Sequence, residues 1–285
     1  MKNVGVWLAL SLLSAASLVA QPPAAARGPN TIYVLKAGRV FDGQTMHEGW
    51  AVRVRGERID TAGPAAGIDS TGATVVDLGT TTLMPGLVEA HSHVLLHPYD
   101  ETSWNDQVMH EGLALRAARA VNHLKATLAA GFTTIRDLGT EGAAYADVEL
   151  KQAVNQGIIP GPRMLVTTRA IVATGAYGPK GFALEFRVPQ GAEEADGLDI
   201  MRVVRDQIGH GADWIKLYGD YRWGPLPGAH PTFTEQEVKY AVDAPKVQAC
   251  QLRFTPRRRR ECAGRSWPES TPSNTATALP QRFSS

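Results

Sequence analysis

The sequence predicts an α/β protein: the first four units of a TIM-type (β/α) barrel, preceded by a small β-sandwich segment. Two changes of rhythm carry this reading. From Thr31 to about Met84, short apolar runs are broken by glycines and show no helical period. After Pro85, strand-like and helix-like stretches alternate four times. Such alternation implies parallel strands joined by crossover helices. A closed barrel needs eight such units in about 250 residues, and the stretch to Asp243 has room for four and part of a fifth.

The expected organisation has four parts. Residues 1–26 read as an export signal, 27–84 as the sandwich segment, 85–243 as the first half of a barrel, and 244–285 as a disordered tail. In the leader, Lys2 precedes an apolar run from Val4 to Ala20, followed by small residues with cleavage points after Ala20 or Ala26. At about 17 residues that run is short for a bilayer span, which needs roughly 20. A cleaved signal and a periplasmic or extracellular protein are therefore expected over a membrane anchor.

In the sandwich segment, Ile32 to Leu35, Ala51 to Val54 and Thr74 to Leu78 are strand-like, and Arg55-Gly56-Glu57-Arg58 reads as a tight hairpin. Strands this close together suggest antiparallel pairing. In the barrel segment the expected strands are Leu87–Val94, Phe132–Leu138, Arg163–Ile171 and Trp214–Tyr218. The expected helices are Val108–Ala130, Ala144–Gly157, Asp199–Gly209 and Thr234–Val242. The first carries Leu113, Ala117, Ala120, Val121, Leu124 and Leu128 on one face; the last opens on a capping box formed by Thr234 and Glu237.

From Ala244 the periodicity stops. Arg257 to Arg260 form a basic run, followed by Ser-, Thr- and Pro-rich text. A basic arm for nucleic acid or lipid headgroups is one account of it; translation in a shifted frame explains better why the pattern breaks inside a βα repeat. Cys250 and Cys262, the chain's two cysteines, also fall here and make a poor disulfide framework. The whole chain of 285 residues has a formal charge of +1, with 44% hydrophobic and 20% charged residues. That balance gives no global reason to expect nucleic acid as a partner.

The chemistry concentrates on two strands. His91 and His93, two residues apart on a strand, project from one face, so both imidazoles can reach one cation at the C-terminal end where barrel enzymes place their sites. On the fourth strand Trp214, Lys216 and Tyr218 share a face, while Ile215 and Leu217 point the other way. An inward lysine is costly to bury as a cation; pairing with an inward acid such as Glu89 is the structural alternative. Glu89 could equally support the site from behind the ligands or pair with Arg136, Asp137 could line the site or cap a helix, and His97 could touch substrate but reads rather as an exposed loop residue. His110, His123 and His210 fall in or beside helices and read as surface or packing residues.

The segment LMPGLVEAHSHV, residues 83–94, resembles the first barrel strand of the amidohydrolase superfamily. GHGADWIKLY, residues 209–218, resembles that family's fourth strand, and VATGAYGPKG, residues 172–181, the loop after its third. Together they point to the branch of imidazolonepropionase-like and Xaa-Pro dipeptidase-like members, over residues 31–243. The resemblance implies hydrolysis of a C–N bond in an amide, cyclic amide or dipeptide by water activated on a divalent metal. The metal would be Zn2+, binuclear in the intact family site, held by His91, His93 and a carboxylated Lys216. Tyr177 and Tyr218 are candidate substrate contacts. The resemblance also implies two later histidines and a general-base aspartate, yet no histidine follows His230 and no aspartate follows Asp243. Little or no turnover is therefore expected of this chain, and no residue is assigned as the base. The alternative is a non-catalytic remnant or interaction protein using the basic tail. The expected partner is a small molecule or dipeptide, without nucleic acid or stable membrane insertion; self-association stays open.

Overall fold

The computed structural model describes residues 31–251, apart from 184 and 226, together with Leu279–Pro280. The expected signal segment, the basic run and Cys262 lie outside the described residues, as does the side chain of Cys250. Two small sheets come first. One is built from β1 (Ile32–Lys36), β4 (Trp50–Arg55), β5 (Arg58–Pro64) and β6 (Thr74–Asp77) in the order β5-β4-β1-β6. The other joins β2 (Arg39–Phe41), β3 (Met46–Glu48) and β7 (Thr82–Leu83) in the order β3-β2-β7.

The 55–58 hairpin forms as expected, with Arg55 opposite Arg58 and Gly56 at φ 57°. The pairing is not antiparallel throughout, however. β1 pairs with β6, and β2 with β7, in parallel, because long excursions return the chain alongside its own start rather than through tight turns.

The second part is α/β. β8 (Leu87–Ser92), β9 (Phe132–Asp137) and β10 (Arg163–Val166) form a parallel sheet with β9 in the middle. Gly86 permits its start: a Cβ there would come within 2.0 Å of the Thr133 hydroxyl on the neighbouring strand. Helices α2 (Leu113–Ala129) and α3 (Ala146–Asn155) are the crossovers. Leu124, Ala120, Ile135, Met164 and Val166 fill the layer between helices and sheet. Leu124→Ala, at a side chain with no exposed surface, is expected to cost about 3 kcal/mol in urea unfolding; a loss below about 1 kcal/mol would contradict this packing.

Beyond β10 come β11 (Ile171–Val172), β12 (Glu193–Glu194), α4 (Asp199–Gly209), β13 (Trp214–Ile215), β14 (Asp220–Tyr221), β15 (His230–Pro231) and α5 (Glu235–Gln251). The expected strand at 163–171 is interrupted after Val166. It resumes at Ile171, whose N–H donates to the Lys216 carbonyl at 2.8 Å and whose carbonyl accepts from Tyr218 N–H at 3.0 Å. That parallel bridge, Ile171 to Leu217, brings the fourth strand-like segment alongside the third. Ile215 and Leu217 pack with Ile200, Val203 and Val204 of α4 and with Ala241 of α5.

Three expectations about helices change. The single helix expected at 108–130 is two, α1 (Trp104–His110) and α2, broken where Glu111 turns extended and Gly112 caps the second. Within α2 the expected apolar face is only partly right. Leu113 is half exposed, whereas Arg116 is buried because backbone carbonyls there need its donors. The break expected at Ala244 does not end α5, which continues to Gln251 with Pro245 inside it and Ala244 buried. Its capping box forms, with Glu237 accepting from Thr234 N–H at 2.8 Å. β8 is an edge strand among the described residues, and Leu87 and Val88 are 42% and 64% exposed. No described helix is long and apolar enough to cross a membrane.

Candidate active site

The C-terminal ends of β8, β9 and β10 open into loops that carry unusual backbone. Among the described residues, the non-glycines with positive φ are Glu141 (50°), Ala144 (50°) and Thr168 (63°), all in these loops. Left-handed backbone in such residues costs on the order of 1 kcal/mol each and persists where surrounding contacts fix it. Here the two loops brace one another: Thr140 N–H donates to the Thr168 carbonyl at 2.9 Å, and Thr168 N–H to the Asp147 carboxylate at 2.7 Å.

At the end of β8, the Nε2 atoms of His91 and His93 lie 3.3 Å apart. His93 Nδ1 is 2.9 Å from the Gly139 carbonyl. A carbonyl can only accept, so that nitrogen carries a proton, and in the neutral tautomer this leaves the Nε2 lone pair facing His91. Gly139, at φ 143°, turns its carbonyl into that position from the end of β9. Two Zn–N bonds of about 2.05 Å at a tetrahedral angle place their nitrogens about 3.3 Å apart. The pair therefore fits a shared cation. Burial lowers the pKa of His91, and among neighbouring charges Lys216 acts on it most strongly in the same direction, ahead of His93 and Arg136. Among the described residues no three His, Cys, Asp or Glu side chains are grouped to hold an ion.

Lys216 is 2% exposed. Its ammonium makes no hydrogen bond or ion pair with the described residues and lies 4.9 Å from the centroid of Tyr218. Burial pushes its pKa down, opposed by Glu141. Neither pairing considered for Glu89 from sequence, with Lys216 or with Arg136, is realised: Glu89 accepts from His91 N–H, while Arg136 donates to the Ala90 carbonyl and stacks on Trp214 at 5.0 Å.

Tyr177 and Tyr218 stack, with ring centroids 4.9 Å apart and planes at 19°. Tyr221 meets both edge-on, and Trp104 meets Tyr177 edge-on at 5.1 Å. Behind them sits Glu141, 2% exposed, which sequence reasoning missed. Its carboxylate accepts from Tyr177 OH at 2.6 Å, Trp104 Nε1 at 3.0 Å and Tyr218 OH at 3.3 Å, and lies 3.9 Å from His93 Nδ1. Burial first, then the Glu141 charge, pushes both tyrosine hydroxyls well above their ordinary pKa.

Two further readings from sequence need correction. His97 is buried, not an exposed loop residue, with its ring nitrogens 2.9 Å from Glu101 and 3.0 Å from Glu111; the turn after β8 folds under α1. Asp137 caps no helix: one oxygen accepts from Val94 N–H at 3.4 Å and the other, buried, has no partner. The helix histidines behave as read. His110 is exposed, His123 contacts the Val94 carbonyl, and His210 stacks on Tyr145.

Burial, then the charge of Asp147, raises the Asp137 pKa well above 3.8. The folded protein therefore holds a proton there that the unfolded chain releases above that pH, so this group's contribution to stability falls as pH rises from 3.8 towards the folded value. Asp137→Asn removes this liability. Its melting temperature is expected to gain on the parent's progressively between pH 4 and pH 7; a constant difference across that range would mean that Asp137 is ionised in the fold.

An α/β framework with convergent imidazoles and a buried amine is the class of site these elements define. Residues 82–250 match the model of the amidohydrolase family, and the chain belongs to that family. Among solved structures it is similar to an amidohydrolase at 28% identity and TM-score 0.65, covering 76% of this chain and 54% of that one. It is also similar to a prolidase complexed with N-methylphosphonate-L-proline, at 30% identity and TM-score 0.63, covering 77% and 54%. A Xaa-Pro dipeptidase with bound methionine shares the fold at 23% identity and TM-score 0.61, covering 77% and 55%. The chain thus spans about half the length of these structures. No curated protein matches it.

Proposed function

We propose that the chain carries part of a metal-dependent site for hydrolysing C–N bonds in amides, cyclic amides or dipeptides. The observation that carries this reading is the pair of Nε2 atoms 3.3 Å apart, one with its tautomer set by the Gly139 carbonyl. We read β8, β9, β10 and the 214–218 segment as the first four strands of a (β/α) barrel, with the preceding sheets as its sandwich. In this reading His91 and His93 hold a divalent cation, Zn2+ first among them. Lys216 contributes an oxygen ligand once its neutral amine adds CO2 and releases a proton. Burial favours that neutral amine. A bound cation supplies an activated water and a polarised carbonyl. Tyr177 and Tyr218 offer a stacked apolar wall against a substrate side chain or proline ring. No described residue is assigned as the general base, and turnover by this chain alone is expected to be slight. The apolar run at residues 4–20 supports export.

Calorimetric titration of the full chain with ZnCl2, in buffer with and without bicarbonate, tests the reading. Zn2+ uptake is expected to tighten with bicarbonate, and 13C-labelled bicarbonate is expected to give a carbamate carbon resonance in the intact protein that Lys216→Ala lacks. A chain that takes up none of Zn2+, Mn2+ or Co2+ would overturn the metal site. Robust, chelator-sensitive hydrolysis of Xaa-Pro dipeptides would overturn the expectation of impaired turnover.

A further inference from the structure

Glu141 is a buried carboxylate that the proposed chemistry does not use. It sits in Leu138-Gly139-Thr140-Glu141-Gly142, directly after β9, in left-handed backbone that glutamate rarely adopts. Its three donors come from separate parts of the chain: Trp104 from α1, Tyr177 from the loop after β11, and Tyr218 from the segment after β13. A hydrogen bond to a charged acceptor is stronger than one between neutral groups. A short bond to Tyr177, 2.6 Å, and a longer one to Tyr218, 3.3 Å, hold two hydroxyls on one group. That fixes where the ring faces lie. Without this anchor the rings would keep their contacts with each other but could slide or rotate, since aromatic stacking tolerates a range of offsets.

The surroundings favour this arrangement over a simple ion pair. Lys216 lies over Tyr218 and makes no direct bond to Glu141, and Arg116 spends its donors on the Leu95 and Thr140 carbonyls. Glu141 thus directs its lone pairs at aromatic donors. Close behind the carboxylate, a Cβ on Gly191 would meet Trp104 at 2.4 Å and Glu141 Oε2 at 3.3 Å.

We propose that Glu141 is a positioning residue: by holding the hydroxyls of Tyr177 and Tyr218 it sets the aromatic wall against which substrate packs, beside His93 and Lys216. This rests on the proposed function, because it assigns the wall to substrate. It assigns Glu141 no bond to substrate or metal.

The test compares the full chain with Glu141→Gln, which keeps size but turns an amide donor towards hydroxyl donors, and with the doubly substituted Tyr177→Phe, Tyr218→Phe form, which keeps the rings and removes the ties. Near-ultraviolet circular dichroism reads ring fixation without metal or activity. Glu141→Gln, which keeps both phenols, is expected to lose the aromatic signal of the stacked pair while retaining its far-ultraviolet spectrum. After Zn2+ loading, N-methylphosphonate-L-proline serves as probe. Glu141→Gln should weaken its binding about tenfold beyond any change in Zn2+ affinity, the size expected for one charge-assisted hydrogen bond, while the doubly substituted form, which keeps the carboxylate, should change Zn2+ affinity less than twofold. An unchanged near-ultraviolet spectrum in Glu141→Gln overturns the proposal. So does a parallel collapse of spectrum, Zn2+ affinity and melting temperature in both variants, which would mark a purely structural role. If the rings loosen as expected but the parent chain binds Zn2+ and no probe, the assignment of the wall to substrate fails with the metal site intact. If the parent binds no metal, the hydrolase reading itself fails.

Discussion

Replacing His93 with alanine should lower Zn2+ affinity by two orders of magnitude or more and leave the fold in place. The ring is partly exposed, with 22% of its side-chain surface accessible, so its removal opens little cavity. What it loses is a nitrogen whose lone pair faces His91 Nε2 and whose opposite nitrogen is tied to Gly139. Disturbing a group that merely orients a ligand typically costs 10- to 100-fold in metal affinity, and removing the ligand should exceed that. His91→Ala should act similarly. The informative comparison is His93→Gln, whose amide can still reach the Gly139 carbonyl but offers no imidazole. If Gln restores Zn2+ binding, the site is not built on the imidazole pair. Titration calorimetry with ZnCl2, alongside melting curves, separates loss of metal from loss of fold.

The parts of this arrangement that the sequence discloses are those set by local period. His91 and His93 share a face because strand side chains alternate, and the alternation of Lys216 with Ile215 and Leu217 follows for the same reason. The limits of α4 and the capping box of α5 are written in a handful of adjacent residues. Glu141, Arg116 and His97 were not legible. An acid between glycines after a strand, a charged residue on a helix and a histidine in a loop all look solvated when read singly. Glu141 and Arg116 are buried because partners arrive from separate elements, aromatic donors for the first and two loop carbonyls for the second, and His97 because Glu111, from beyond α1, joins its near neighbour Glu101 around the ring. No local pattern encodes those meetings. One signal was available for Glu141: Gly139 and Gly142 bracket it closely, as backbone needing positive φ requires, and such a turn at the C-terminal end of a parallel strand is where α/β sheets place their sites.

Arg116→Met should cost about 3 kcal/mol in urea unfolding, nearly as much as Arg116→Ala, although methionine fills much of the same volume. The guanidinium is 2% exposed and donates through Nε to the Leu95 carbonyl and through one terminal nitrogen to the Thr140 carbonyl, both at 2.9 Å. Burial lowers its pKa, and the charges of Glu141 and Glu111 oppose that. A substitution without donors strands two buried carbonyls and removes a counter-charge near Glu141. Leaving a buried polar group unpaired costs about 1–3 kcal/mol, and stranding a charge costs more. Packing alone predicts a wide gap instead: alanine severe, methionine mild. The two carbonyls also belong to the loops after β8 and β9, so Arg116 fastens α2 to the segments that carry His93 and Glu141. Arg116→Met should therefore weaken Zn2+ binding several-fold at temperatures well below its melting transition. Near-parental stability in the methionine variant would show that the stem, rather than the guanidinium, holds these loops to the helix.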